Sequence, residues 1–158
     1  DDSDVPLTSS LFWNDTSPTE DVFSVSNGNS VNKLDATYVA YVFAEIEGYS
    51  KFGSYTGNGS TDGTFVYTGF RPAWVMVKST TSGRHWVIKD SARDTFNVAN
   101  KTLLANSNTN EDTTSSFNVD FLSNGFKCRA TTHTNGSGET HVYIAFSDGQ
   151  NFKFGNSR

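Results

Sequence analysis

The sequence predicts an all-β fold: a two-sheet antiparallel sandwich of the jelly-roll or lectin-like kind, with little helix. Three observations carry it. The chain is rich in Ser, Thr, Asn and Gly and poor in Leu, Ala and Glu, so helix formers are scarce and strand and turn formers are common. Short runs alternate along the chain at period two. Asn-Gly and Asp-Gly pairs separate them, at Asn58-Gly59, Asp62-Gly63, Asn124-Gly125, Asn135-Gly136 and Asp148-Gly149, and these pairs accept positive φ at low cost.

In chain order, the alternation predicts strands at Ser10–Asn14, Asp21–Val25, Thr37–Glu45, Tyr49–Tyr55, Thr64–Thr68 and Ala73–Lys78. It continues with Arg84–Lys89, Ser116–Leu122, Gly125–Ala130, Thr140–Ser147 and Asn151–Phe154. Further turns fall at Asn27-Gly28-Asn29 and Ser82-Gly83. Two hairpins stand out: Ala73–Lys89 across Ser79–Gly83, and Ser116–Ala130 across Ser123-Asn124-Gly125. A helical turn is expected near Ser91–Asn97, and the polar run Asn106–Thr114 reads as a mobile loop. Trp74 and Trp86 alternate with Val and Ile and are expected to face the core. There is also an echo: Tyr38-Val39-Ala40-Tyr41 resembles Tyr143-Ile144-Ala145-Phe146, and each is followed by Lys-Phe-Gly, at residues 51–53 and 153–155. Matched strands would be neighbours or would sit on facing sheets; the other reading is chance among aromatic strands.

The chain has 158 residues, enough for one well-filled domain, read as an extended entry segment over 1–20 and a sandwich over 21–158. Aromatic residues make up 14% of it, with thirteen Phe, so rings fill the core although apolar content is only 35%. A net charge of −5 argues against nucleic acid, whose phosphates need a cationic face. No run is long enough to cross a membrane as a helix. The single cysteine, Cys128, alternates with Phe126 and reads as a small buried hydrophobe. With one cysteine no internal disulfide forms, which suits folding in a bacterial cytosol, and the absence of a starting Met and of a signal peptide reads as a segment of a longer protein or a processed fragment.

Catalytic chemistry finds few candidates. Glycoside hydrolysis needs two carboxylates across a sugar. Glu45 and Glu47 would share a strand face, roughly 7 Å apart, but Gly48 ends that run and a solvated strand end is the simpler reading. Glu139 reads as a surface acid at a strand entry. There is no Gly-x-Ser-x-Gly elbow, and His85, His133 and His141 are dispersed, which suits neither a Cys–His pair with Cys128 nor a zinc site. No cofactor is expected. Asn58, Thr61 and Asp62, or Asp90 and Asp94, offer oxygens to calcium, but with too few carboxylates; turn chemistry and a local Asp90–Arg93 ion pair explain them. No metal ligand set is assigned.

Binding remains. Sugars are held by aromatic faces, with Asn, Asp and Arg fixing hydroxyls. Tyr55, Asn58 and Asp62 border one turn, and Arg84, His85 and Trp86 another, and these six are the candidate ligand contacts. The plain alternative is turn chemistry at the two Gly-containing pairs and core packing at Trp86.

The run from Tyr49 through Tyr55-Thr56-Gly57-Asn58-Gly59 and Phe70-Arg71-Pro72-Ala73-Trp74 to Lys78 also carries a family resemblance. Leu11-Phe12-Trp13-Asn14-Asp15 through Val25, Tyr38–Phe43, Trp86–Asp94, Leu122–Lys127 and Thr140–Phe146 belong to it, in this order. Together they resemble the C-terminal β domain of virion proteins from marine tailed bacteriophages, which often accompanies concanavalin-type lectin sandwiches in tail-fibre and appendage proteins. The resemblance implies a virion location, virion subunits as partners and a homo-oligomer, with a trimer as the common phage-fibre state. It supplies no catalytic residues. Three functions fit: non-enzymatic adhesion to a bacterial surface glycan, a purely structural or decoration module, and a polysaccharide depolymerase, for which the sequence lacks a constellation.

Overall fold

The computed structural model describes residues 10–81 and 83–149. The strand expected at Asn151–Phe154 and the second Lys-Phe-Gly lie outside the described residues. Contacts divide the chain into two units, with the break between Phe43 and Ala44.

In the first unit, two short helices form, α1 (Ser10–Trp13) and α2 (Asn29–Asn32). The strands expected at Ser10–Asn14, Asp21–Val25 and Thr37–Glu45 are absent. A strand needs a neighbouring edge to satisfy its N–H and C=O groups, and no such edge pairs with these runs among the described residues. Local contacts take over instead. Trp13 and Phe23 meet edge to face at 6.4 Å. The Leu11 and Phe12 carbonyls accept from Gly28 and Ser26 N–H at 2.9 Å each. Thr19 Oγ1 accepts from the Val22 N–H at 3.1 Å, a side-chain turn that competes with extended pairing.

The second unit is the sandwich. Its strands are β1 (Ser50–Thr56), β2 (Phe65–Tyr67), β3 (Trp74–Ser79), β4 (Trp86–Asp90), β5 (Leu103–Leu104), β6 (Val119–Leu122), β7 (Gly125–Cys128) and β8 (Thr140–Phe146). One antiparallel sheet has five strands in the order β1-β8-β3-β4-β5, the other three in the order β2-β7-β6. Both expected hairpins form, with Val77 opposite Val87 and Phe121 opposite Phe126. Between Ser91 and Asn97 the chain turns without forming a helix. The turn is closed by Asp90, whose carboxylate accepts from Arg93 Nε at 2.5 Å and from the Arg93 N–H at 2.8 Å.

The core lies between the sheets. Val75, Val77, Tyr143 and Ala145 come from the five-stranded sheet, and Val66, Val119, Phe121, Phe126 and Cys128 from the three-stranded one. Tyr143 meets Phe126 edge on at 5.6 Å across the gap. Gly53 stands opposite Tyr143, and a Cβ there would come within 3.1 Å of the ring, so glycine makes room for it. Burial raises the Cys128 thiol to about 11, as suits an inert core residue. Trp74 and Trp86 are not in this core. Period two turns Val75, Val77 and Val87 inward, leaving both tryptophans half-buried on the opposite face of the sheet. Across the strands Trp74 stands opposite Phe146 and Asp90 and Trp86 opposite Lys78, with Met76, Ile88 and Ile144 on the same face, so that face is largely apolar too. No described helix is long and apolar enough to cross a membrane.

Lys89 also points inward and is 1% exposed. Its ammonium donates to Thr102 Oγ1 at 2.6 Å and to the Ala99 carbonyl at 3.3 Å, tying the β4–β5 connection to the core. Burial lowers its pKa from 10.5 to about 8, so between those values the unfolded chain holds a proton that the folded chain has released. Raising the pH through that window therefore stabilises the fold through Lys89, by roughly 3 kcal/mol in all. Cys128 and Tyr55 act in the opposite sense, because burial raises both and the folded chain retains their protons. Urea unfolding of the wild type and of Lys89→Met from pH 7 to 10.5 separates them: the difference in stability should move toward the wild type as pH rises. A constant difference would mean that Lys89 is not deprotonated in the fold.

Candidate functional site: a cleft walled by paired imidazoles

The six residues singled out by sequence fall into two places. Tyr55 is turned inward. Its ring stacks on His141 at 5.0 Å and meets Phe126 edge on at 6.0 Å, and its hydroxyl donates to the Thr134 carbonyl at 2.5 Å. His141 therefore covers one face of the ring, and the residue is half-buried against the core. Asn58 organises its own loop, with Nδ2 donating to the Asp62 carbonyl at 3.1 Å and Oδ1 accepting from the Ser60 N–H at 3.0 Å. Asp62 is exposed and pairs with Lys127 at 2.5 Å.

The centre of this loop is Asn135, which is fully buried. Its Oδ1 accepts from the Asn58 N–H at 3.1 Å and the Thr64 N–H at 3.4 Å. Its Nδ2 reaches Asn58 Oδ1 and the Ser60 carbonyl at 2.8 Å and the Ala130 carbonyl at 3.0 Å. The glycines follow from that closeness. A Cβ at Gly57 would overlap the Gly136 carbonyl, and one at Gly63 would lie 2.8 Å from Asn135 Nδ2. The loop is dense in glycine because the chain itself approaches, not a ligand.

Arg84, His85 and Trp86 lead elsewhere. Arg84 grips Glu139, with Nη2 2.5 Å from Oε1 and Nε 3.2 Å from both oxygens. Ser79 Oγ adds a bond to Oε2 at 2.9 Å. Glu139 is therefore a half-buried clasp rather than a surface acid, and its bond from Arg84 holds the carboxyl below its ordinary range. His141 lies beyond, fully buried, its Nε2 3.8 Å from the same carboxylate. Burial depresses its pKa and keeps it neutral.

His85 opens onto a cleft of about 530 Å³. Its ring stacks on His133 at 5.5 Å and 26°, and His133 lies 4.7 Å from Phe117. Asn106 fixes the near wall: Nδ2 donates to His85 Nδ1 at 3.3 Å, and Oδ1 accepts from the Trp86 N–H at 3.0 Å. The far wall is the rest of the polar run that begins at Asn106, residues 107–114, which is a loop carrying its own hydrogen bonds. Asp112 exchanges both backbone bonds with Thr102, at 2.8 and 2.9 Å. Glu111 accepts from Arg93 Nη1 at 2.9 Å, and Ser107 Oγ bonds Thr109 Oγ1 at 3.1 Å. Asp112 Oδ1 accepts from the Thr114 N–H at 2.6 Å, and the bonds from Thr114 hold this carboxyl below its ordinary range. Burial, then the Arg84 charge, depresses the pKa of His133, whose buried Nδ1 has no hydrogen-bond partner among the described residues.

The lining thus combines an aromatic ring, two imidazoles, two carboxylates and several hydroxyls, with no Lys or Arg. Phe117, His133, Glu111 and Asp112 were missed as site residues. The only local signal was a pair of acids inside a Ser/Thr/Asn-rich loop; the rest of the site forms by convergence of distant segments. No group of three or more His, Cys, Asp or Glu side chains suited to a metal occurs among the described residues.

Asn135→Ala should cost about 2–4 kcal/mol, since it strands two N–H donors and several acceptors in a buried place. Urea unfolding measures it. Asp62→Asn, at an exposed pair, should leave the midpoint unchanged. Equal effects would show that the loop does not hang on Asn135.

The model of one protein family, a domain of unknown function (DUF7483), matches residues 1–149. The chain belongs to that family. No curated protein and no solved structure matches it.

Proposed function

We propose that this DUF7483 domain is a non-catalytic adhesion module of a phage virion appendage, and that its His85–His133 cleft holds a saccharide of the bacterial surface. The virion setting rests on the sequence resemblance. The glycan reading rests on one observation: an open cleft in which stacked rings adjoin a wall of hydroxyls and carboxylates. Rings pack against sugar C–H faces, and ionised carboxylates accept from sugar hydroxyls. Because the lining carries two acids and no cationic side chain, it favours neutral or amino-bearing sugars over acidic ones.

The non-catalytic part has separate support. A glycosidase general acid needs a carboxyl whose pKa is raised. Among the described residues, every carboxyl with a displaced pKa is displaced downward: Glu45, Asp62, Asp90, Asp112 and Glu139. Glu45 is engaged by Lys51 at 2.7 Å and by the Phe52 N–H at 3.1 Å. A single open cleft of this kind binds weakly, and many copies on a virion supply avidity.

The test is titration of neutral, amino-bearing and acidic oligosaccharides into the chain, followed by calorimetry or by NMR of the imidazole protons. Neutral or amino sugars should bind, and His85→Ala or Asp112→Asn should weaken them at least tenfold without moving the unfolding midpoint. Binding of none of the sugars would remove the adhesion reading and leave the structural-module one. Release of shortened products from a polysaccharide would replace it with the depolymerase.

A further inference from the structure

Asn106 serves two neighbours with one amide. Its Oδ1 accepts from the Trp86 N–H at 3.0 Å, and its Nδ2 donates to His85 Nδ1 at 3.3 Å. A backbone N–H can only donate, so the Trp86 bond settles which way the amide faces. His85 Nδ1 is then the bare, accepting nitrogen, and the neutral ring carries its proton on Nε2. Trp86 gives its other backbone group to the same segment, since its carbonyl accepts from the Ala105 N–H at 3.0 Å. The Ser107 N–H closes the turn onto the Leu104 carbonyl at 3.1 Å. The hydroxyl-bearing wall of the cleft, from Ser107 onward, leaves from this point.

We infer that Asn106 is a pH latch: protonation of His85 breaks its bond to Trp86 and loosens the far wall of the cleft. A proton on Nδ1 turns that nitrogen into a donor, and the Asn106 NH2 cannot accept from it. The amide must turn over to offer Oδ1 to the imidazolium, and its NH2 then faces the Trp86 N–H, donor against donor. One amide cannot serve both neighbours once His85 is charged. The charged and titratable neighbours pull both ways. His133 stacks on His85 at 5.5 Å and Arg84 precedes it in the chain, and both oppose a further positive charge. Glu111 and Asp112 line the same cleft and attract one, but Glu111 is engaged by Arg93 Nη1 at 2.9 Å and Asp112 by the Thr114 N–H at 2.6 Å. Glu139 is matched by Arg84. These charges move the pH at which the latch opens and not its direction, which the amide geometry sets. A saccharide held in the cleft is then released in acid; that consequence rests on the adhesion reading, and the latch itself does not.

The test needs no ligand. Imidazole proton resonances of the full chain follow each histidine from about pH 8 to 5, and amide hydrogen exchange, corrected for its intrinsic rate, follows the Trp86 N–H. Protection of Trp86 should fall at least about tenfold in acid, with the midpoint of His85 and not that of His133 or His141. Asn106→Asp should reverse the sign. An ionised carboxylate accepts from the imidazolium and from the Trp86 N–H together, so Trp86 becomes better protected in acid. His85→Phe should make the protection of Trp86 independent of pH. Protection that stays constant with pH in the wild type overturns the inference, as does a loss in Asn106→Asp of the same sign as in the wild type. A latch that titrates as expected while no sugar binds at either pH upholds the inference and removes the adhesion reading alone.

Discussion

The sandwich depends on one buried carboxamide. The chain crosses between the sheets four times among the described residues, at β1–β2, β2–β3, β5–β6 and β7–β8. The β1–β2 and β7–β8 crossings meet at Asn135, whose oxygen serves the first and whose nitrogen bridges both. An amide suits this place because it is donor and acceptor at once and carries no charge to desolvate. Neither loop has regular structure to satisfy its own backbone, so each would otherwise bury unpaired groups. The tight glycines around it are a consequence of the two backbones being drawn together on one side chain.

Asn135 also sets the cleft. His133 lies two residues before it, and Glu139 four residues after, so the same crossing presents one cleft wall and one end of the Arg84 clasp. From Tyr55 through His141 and Glu139 to Arg84 runs a continuous set of ring and charge contacts. It links the core to the base of the cleft. The buried polar groups along it are neutral or paired, as a low-dielectric interior demands. His141 stays neutral by burial, and the Glu139 carboxylate is matched by a guanidinium. The opposite wall uses the same device at its own end, where Arg93 joins Asp90 to Glu111 and so ties the turn after β4 to the rim.

The two units differ in how they settle their backbones. The sandwich satisfies its extended runs with ladders. The first unit has equally strand-like runs but closes them with side-chain turns and short helices. The difference lies in partners rather than propensity: strand formation is a property of two segments, and only one is present in a run.

What the sequence determined by itself was therefore local. Period-two alternation and turn dipeptides placed seven strands of the sandwich, all but β5, and both hairpins, and the alternation of Cys128 with Phe126 placed that thiol in the core. These features depend on neighbours a few residues apart. The tertiary structure decided everything that depends on parity or on distant convergence. It turned Val75 and Val77 inward rather than Trp74, because both faces of β3 are apolar and only the position of the second sheet distinguishes them. It packed Tyr55 against the core, since an aromatic beside a turn reads the same in either setting. It brought Arg84 to Glu139, 55 residues away, and His85 to His133, and so made a cleft from a loop that had only its polarity to show. Contacts of that span are set by how the sheets stack, which no local pattern contains.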